Sequence, residues 1–134
     1  MYHTFIKRIF DIIFSVTLIL ILSPILISIF IIVWIKIGFP IFSQKRPGLN
    51  NKIFTIYKFK TLYNISESNN ESNRQSKFGN FLRKTGLDEL PQLINILKND
   101  MSFVGPRPLL VEYLDKYSNF EKKRHLVKPG ITGL

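Results

Sequence analysis

The sequence predicts an α+β protein: an N-terminal membrane element followed by a small, mainly helical domain that carries a β-hairpin. Three observations point there. The 24 consecutive residues from Ile12 to Ile35 carry no charge and are nearly all Ile, Leu, Val or Phe. Two short runs rich in β-branched and aromatic residues, Ile41–Gln44 and Ile53–Phe59, flank the turn signal Pro47-Gly48-Leu49-Asn50-Asn51. Further on, Leu90, Leu93, Ile94, Leu97 and Met101 recur at the three-and-four spacing of a helix. Residues 1–37 are expected to form the membrane element and residues 38–134 a domain at the membrane surface.

As a straight helix the uncharged run reaches about 36 Å, enough for a hydrocarbon layer of roughly 30 Å. Ser23 and Pro24 sit at its midpoint, and Pro24 removes a backbone donor and crowds the preceding turn, so a break or bend is expected there. Each half, about 17 Å long, is too short to cross alone. A hydroxyl such as that of Ser23 can satisfy a carbonyl freed by the proline. Lys7 and Arg8 precede the run and Lys36, Lys45 and Arg46 follow it, which agrees with both ends lying on the cytoplasmic face. Proline also occurs in spanning helices, so a re-entrant hairpin and a spanning helix both remain open on these grounds.

Nineteen Lys and Arg against nine Asp and Glu give a net charge of +10, and all but Lys7 and Arg8 of the cations lie beyond the membrane run. Such a balance implies an anionic partner: phospholipid, nucleic acid or a phosphorylated substrate. The lack of cysteine excludes disulfides and thiolate metal sites, and only His3 and His125, far apart, are available for zinc. Asn64 to Ser76 is almost wholly polar and reads as a solvated, mobile loop. Phe78, Phe81 and Leu82 suggest a short helix, and a second opens with Asp88, Glu89 and Pro91, residues favoured in a first turn. Val104 to Pro108 is expected to be extended or turned, and Leu109 to Tyr117 helical again.

Asp88 and Glu89 are adjacent, so on a helix their side chains diverge by about 100° and serve separate tasks. Arg83 and Lys84 lie about a turn upstream, and Arg107 stands between two prolines. Capping a helix start is the ordinary use of such an acidic pair, and a surface cation the ordinary use of such an arginine. Spacing and charge alone do not go further.

Longer stretches of text do. Lys7-Arg8-Ile9-Phe10-Asp11, the apolar run with its central Ser23-Pro24, the segments 38–48 and 54–61, then Phe81 through Asn95, Asp100-Met101-Ser102-Phe103-Val104-Gly105-Pro106-Arg107-Pro108 and Val127 through Leu134 follow one another in order. Together they resemble the bacterial sugar transferase family, the monotopic phosphoglycosyl transferases, over nearly the whole chain. The resemblance implies a re-entrant helix-break-helix at Ser23 and Pro24. It implies transfer of a phosphosugar from a UDP-sugar to polyprenol (undecaprenyl) phosphate at the cytoplasmic face of the bacterial inner membrane. Asp88 would attack the β-phosphate, releasing UMP, and Glu89 would assist proton removal from the lipid phosphate. Arg83, Arg107, Lys58 and Lys60 would contact phosphate, and magnesium (Mg2+), with Asp88 among its ligands, would neutralise the diphosphate.

Lys60 stands where the family more often has Arg, and Gly86 where Ser is usual. The family also continues past the Gly-Ile-Thr-Gly signature, so the chain is expected to be a shortened member. The alternatives are an inactive truncated homologue and a non-enzymatic, membrane-anchored basic protein that binds anionic lipid. No helix-turn-helix, zinc finger or aromatic platform supports nucleic acid as the partner.

Overall fold

The computed structural model describes residues 2–64 and 75–133, so most of the polar loop expected over Asn64–Ser76 lies outside the described residues. Helix α1 (Tyr2–Lys36) is followed by strands β1 (Ile41–Pro47) and β2 (Ile53–Phe59), helices α2 (Lys77–Thr85) and α3 (Gln92–Leu97), and strands β3 (Ser102–Val104) and β4 (Gly130–Thr132). Single 3-10 turns cover Leu87–Glu89, Val111–Lys116 and Glu121–Leu126. The mixture of helix and strand is the α+β class expected.

At the position in α1 of the expected break or bend, helical structure continues through Pro24 with no non-helical interruption. Pro24 cannot supply the N–H that would bond the Leu20 carbonyl. The Ser23 hydroxyl donates to that same oxygen at 2.8 Å, and Ser28 donates to the Pro24 carbonyl at 2.7 Å. The serine thus restores the missing donor within the helix itself, as an apolar surrounding would require.

A single stripe of α1 faces the rest of the chain. Asp11 and Ser15 are buried one turn apart, Leu18 and Ile19 are partly buried, and Ile29, Val33 and Ile37 are buried again. The three-and-four spacing of these positions is that of one helix face. The opposite face leaves Phe5, Ile13, Leu20, Ile21, Ile27, Trp34 and Ile35 about half exposed or more. The helix is long and apolar enough to cross a membrane by length and composition.

Strands β1 and β2 pair antiparallel from Ile41↔Phe59 to Pro47↔Ile53, so β1 runs three residues further than expected, up to the turn. Phe59 joins Ile29, Val33, Ile37 and Leu82 in one cluster; Phe54 and Ile56 join Leu93, Ile96 and Met101 in a second. β2 therefore links both halves of the core, and α1 lies along both.

The second helix is shorter than its apolar spacing suggests. Asp88 and Glu89 belong to a separate 3-10 turn, Pro91 precedes the first helical residue, and Asn99 with φ +72° ends the element before Met101. Met101 is fully buried from outside the helix, so the spacing marked core positions rather than helix length. Leu109 to Tyr117 holds only the 3-10 turn Val111–Lys116. A parallel pair between β3 and β4, Ser102↔Gly130 and Val104↔Thr132, was not anticipated. Gly105 and Gly130 allow it, because a Cβ on the first would meet the Lys128 carbonyl and on the second the Gly105 amide.

Candidate active site

Ser76 caps α2 by accepting a hydrogen bond from the Gly79 amide at 2.8 Å. Gly86 ends that helix in the left-handed region, φ +72°, and turns the chain directly into the 3-10 turn holding Asp88 and Glu89. Neither the turn nor α3 carries a side-chain cap, so the two acids do not perform the capping role that is ordinary for such a pair. Asp88 is 9% exposed. Glu89 Oε1 accepts from Lys58 Nζ at 2.8 Å and from Arg107 Nη2 at 3.2 Å.

A cavity of about 580 Å³ opens over this turn. All six residues singled out in the sequence line it: Asp88 and Glu89, Arg83 on α2, Lys58 on β2, Lys60 just beyond it, and Arg107 in the loop after β3. Lys58 and Lys60 share one face by the two-residue period of the strand. Arg83 is oriented by its Nε donating to Thr61 Oγ1 at 2.9 Å. Arg107 is held through its backbone, its carbonyl accepting from Arg124 Nη2 at 3.0 Å.

Arg46, Gln44 and Phe42 also line the cavity and were not among the residues singled out. The signal was present: they alternate along β1, so the pleat points them the same way. Arg46 was instead read as a charge flanking the membrane run. With it, five cations face two carboxylates in one cavity.

Burial pushes the Asp88 carboxyl up from its ordinary range; Lys58 pulls it down, the Glu89 charge pushes it up, and Arg83 and its own backbone amide pull it down. Burial prevails because the nearby cations bond elsewhere: Lys58 reaches Glu89, and Arg83 reaches Thr61. Among the described residues no side-chain ion pair or hydrogen bond holds the Asp88 carboxylate directly. The result is a sheltered, uncommitted carboxylate surrounded by positive charge.

Comparison with known proteins locates the chain. The family profile described as Bacterial sugar transferase matches residues 2–134. The chain belongs to the bacterial sugar transferase family. Among its relatives in that family, the uncharacterized sugar transferase EpsL of Bacillus subtilis is 46% identical over 132 residues, covering 95% of this chain and 65% of EpsL. The UDP-glucose:undecaprenyl-phosphate glucose-1-phosphate transferase of Escherichia coli is 41% identical over 137 residues, 95% of this chain and 30% of that protein. The undecaprenyl-phosphate galactose phosphotransferase of Salmonella typhimurium is 37% identical, covering 97% and 32%. The chain therefore spans from about a third to just under two thirds of the length of these relatives.

Proposed function

We propose that this chain transfers a phosphosugar from a UDP-sugar to undecaprenyl phosphate, with Asp88 as nucleophile. The carrying observation is the contrast between two neighbouring acids: Glu89 is occupied by Lys58 and Arg107, whereas Asp88 lines the cationic cavity with no side-chain ion pair or hydrogen bond among the described residues. The relatives' printed activities on UDP-glucose and undecaprenyl phosphate support the choice of substrates.

In the first step an Asp88 carboxylate oxygen bonds to the β-phosphorus of the UDP-sugar as the bond to the UMP oxygen breaks, leaving an acyl phosphosugar and free UMP. In the second, a phosphate oxygen of the lipid bonds to the same phosphorus and the Asp88 carboxylate departs. Both cations on Glu89 use Oε1, which leaves Oε2 to take the proton from the lipid phosphate. Arg83, Lys58, Lys60 and Arg107 stabilise charge on the equatorial oxygens. The donor set also fits a magnesium ion: one uncommitted carboxylate beside a second is what this metal uses when substrate phosphates complete its shell. Asp88 would hold it, and when bound it supplies neutralisation of the diphosphate.

The helix is proposed to bend at Pro24 while remaining helical, and so to enter and leave the membrane on one side. Lys7 Nζ donates to the Val104 carbonyl at 3.1 Å, and Asp11 Oδ1 accepts from the Phe103 amide at 3.3 Å. Near the other end Ile29, Val33 and Ile37 pack on Phe59 and Leu82. A helix crossing the bilayer from a single polar domain would not have both its ends in contact with that domain. The apolar outer face supports burial in the leaflet, with the cavity at headgroup depth on the cytoplasmic side.

Release of UMP from a panel of UDP-sugars, with undecaprenyl phosphate and magnesium, tests the proposal. The native chain is expected to release UMP, Asp88→Asn to abolish release, and Glu89→Gln to slow it about 10²–10⁴-fold. Binding to anionic lipid without turnover by the native chain would replace this reading with that of a non-enzymatic membrane protein.

A further inference from the structure

Arg46 combines features that a purely structural arginine does not need. Its Nη2 donates to Gln44 Oε1 at 2.6 Å and its Nη1 to the Pro108 carbonyl at 3.3 Å. Its Nε is buried with no partner. Among the described residues no carboxylate lies within ion-pair distance of it. Beside it stands Arg107, a second guanidinium, whose carboxylate partner Glu89 is already shared with Lys58. Burial and the neighbouring Arg107 both hold the Arg46 guanidinium below its ordinary value. Two adjacent cations with one shared acid between three positive groups are unfavourable unless an anion joins them.

We propose that Arg46 and Arg107 form a phosphate seat on the β1 side of the cavity, binding a phosphate monoester or diphosphate through planar guanidinium donors. Both residues line the main cavity and also a small cleft beside Glu89 and Gln92. The seat is thus offset from Asp88 and adjoins the Glu89 ion pair. That its occupant is a substrate phosphate, from the nucleotide or from the lipid, rests on the transfer reaction proposed above; anion binding by itself does not.

The test is equilibrium binding of inorganic pyrophosphate, UMP and detergent-dispersed undecaprenyl phosphate to the full chain. Arg46→Gln is expected to raise the Kd for pyrophosphate, and for whichever of UMP or lipid phosphate occupies the seat, about tenfold or more, with Arg46→Lys between it and the native chain. Lys45→Gln, which removes an exposed cation outside the cavity, should stay within about twofold. Native protein with each ligand added supplies a second readout independent of variant folding, since a bound phosphate should shield Arg46 from the arginine reagent phenylglyoxal. Unchanged affinities in both Arg46 variants, or no shielding of Arg46, would overturn the seat and leave the transfer reaction standing. Pyrophosphate binding that depends on Arg46, without binding of UMP or lipid phosphate, would keep the seat and remove the transfer reaction. No binding of any of the three by the native chain would remove both.

Discussion

Asp88 is under two opposed demands. Burial disfavours its charge, while the proposed attack on phosphorus requires the carboxylate. Because its native pKa is raised above the unfolded value, folding favours the protonated form. That contribution is fully present below the ordinary aspartate range near 3.9 and is lost as pH rises through the raised native value. Asp88→Asn removes the charge, so its melting temperature should exceed that of the native chain by a margin that widens as pH rises from the ordinary aspartate range through the raised native value and is constant above it. A margin independent of pH, or one of opposite sign, would show that burial does not dominate at this position. The acidic pair, Arg83, Lys58, Lys60 and Arg107 were legible from ordered text around them. The alternation of Phe42, Gln44 and Arg46 along β1 was there to be read, but which face of the hairpin meets the cavity depends on its packing and on the loop carrying Pro108, which are not local in sequence.

Asn95 illustrates how the elements around the cavity are fastened. It is fully buried on α3; its Oδ1 accepts from the Tyr57 amide at 3.1 Å and its Nδ2 donates to the Thr55 carbonyl at 2.6 Å. One side chain thus satisfies two backbone groups on the free edge of β2 and fixes Lys58 opposite Glu89. Asn95→Leu keeps the volume but leaves both groups buried and unbonded, so it should cost about 2 kcal/mol or more. Thermal unfolding should register a fall of about 5–10 °C; stability equal to native would mean that this clamp holds nothing. Arg8 acts similarly at the far end of α3, donating to the Ile96 carbonyl and, at 2.8 Å, to that of Leu97, where the helix dipole favours a cation. The hairpin could be read from β-branched runs around a turn, and α2 from its aromatic spacing. The length of α3 could not, since Pro91 and the left-handed Asn99 bound a helix whose apolar period continues beyond it. The β3–β4 pair joins segments nearly thirty residues apart, and two three-residue strands leave no period to detect.

For the molecule as a whole, the composition announced the membrane helix, but its course depends on contacts that no local pattern carries. Ser23 repairs the helix at Pro24, and polar contacts near Lys7 and Asp11 return the N-terminal end to the same domain that packs on Ile29 and Val33. Since the chain contains no cysteine, Thr4→Cys and Lys52→Cys each provide a single label. A membrane-impermeant maleimide should reach both from the cytoplasmic face of inverted vesicles and neither from the outside of spheroplasts. Labelling from opposite sides would establish a spanning helix. The chemistry is decided most directly by mass spectrometry of the protein after brief incubation with UDP-sugar and magnesium in the absence of lipid acceptor. One phosphosugar adduct, located on Asp88 and discharged by undecaprenyl phosphate, is the expected result; release of UMP with no covalent adduct would contradict a carboxylate nucleophile.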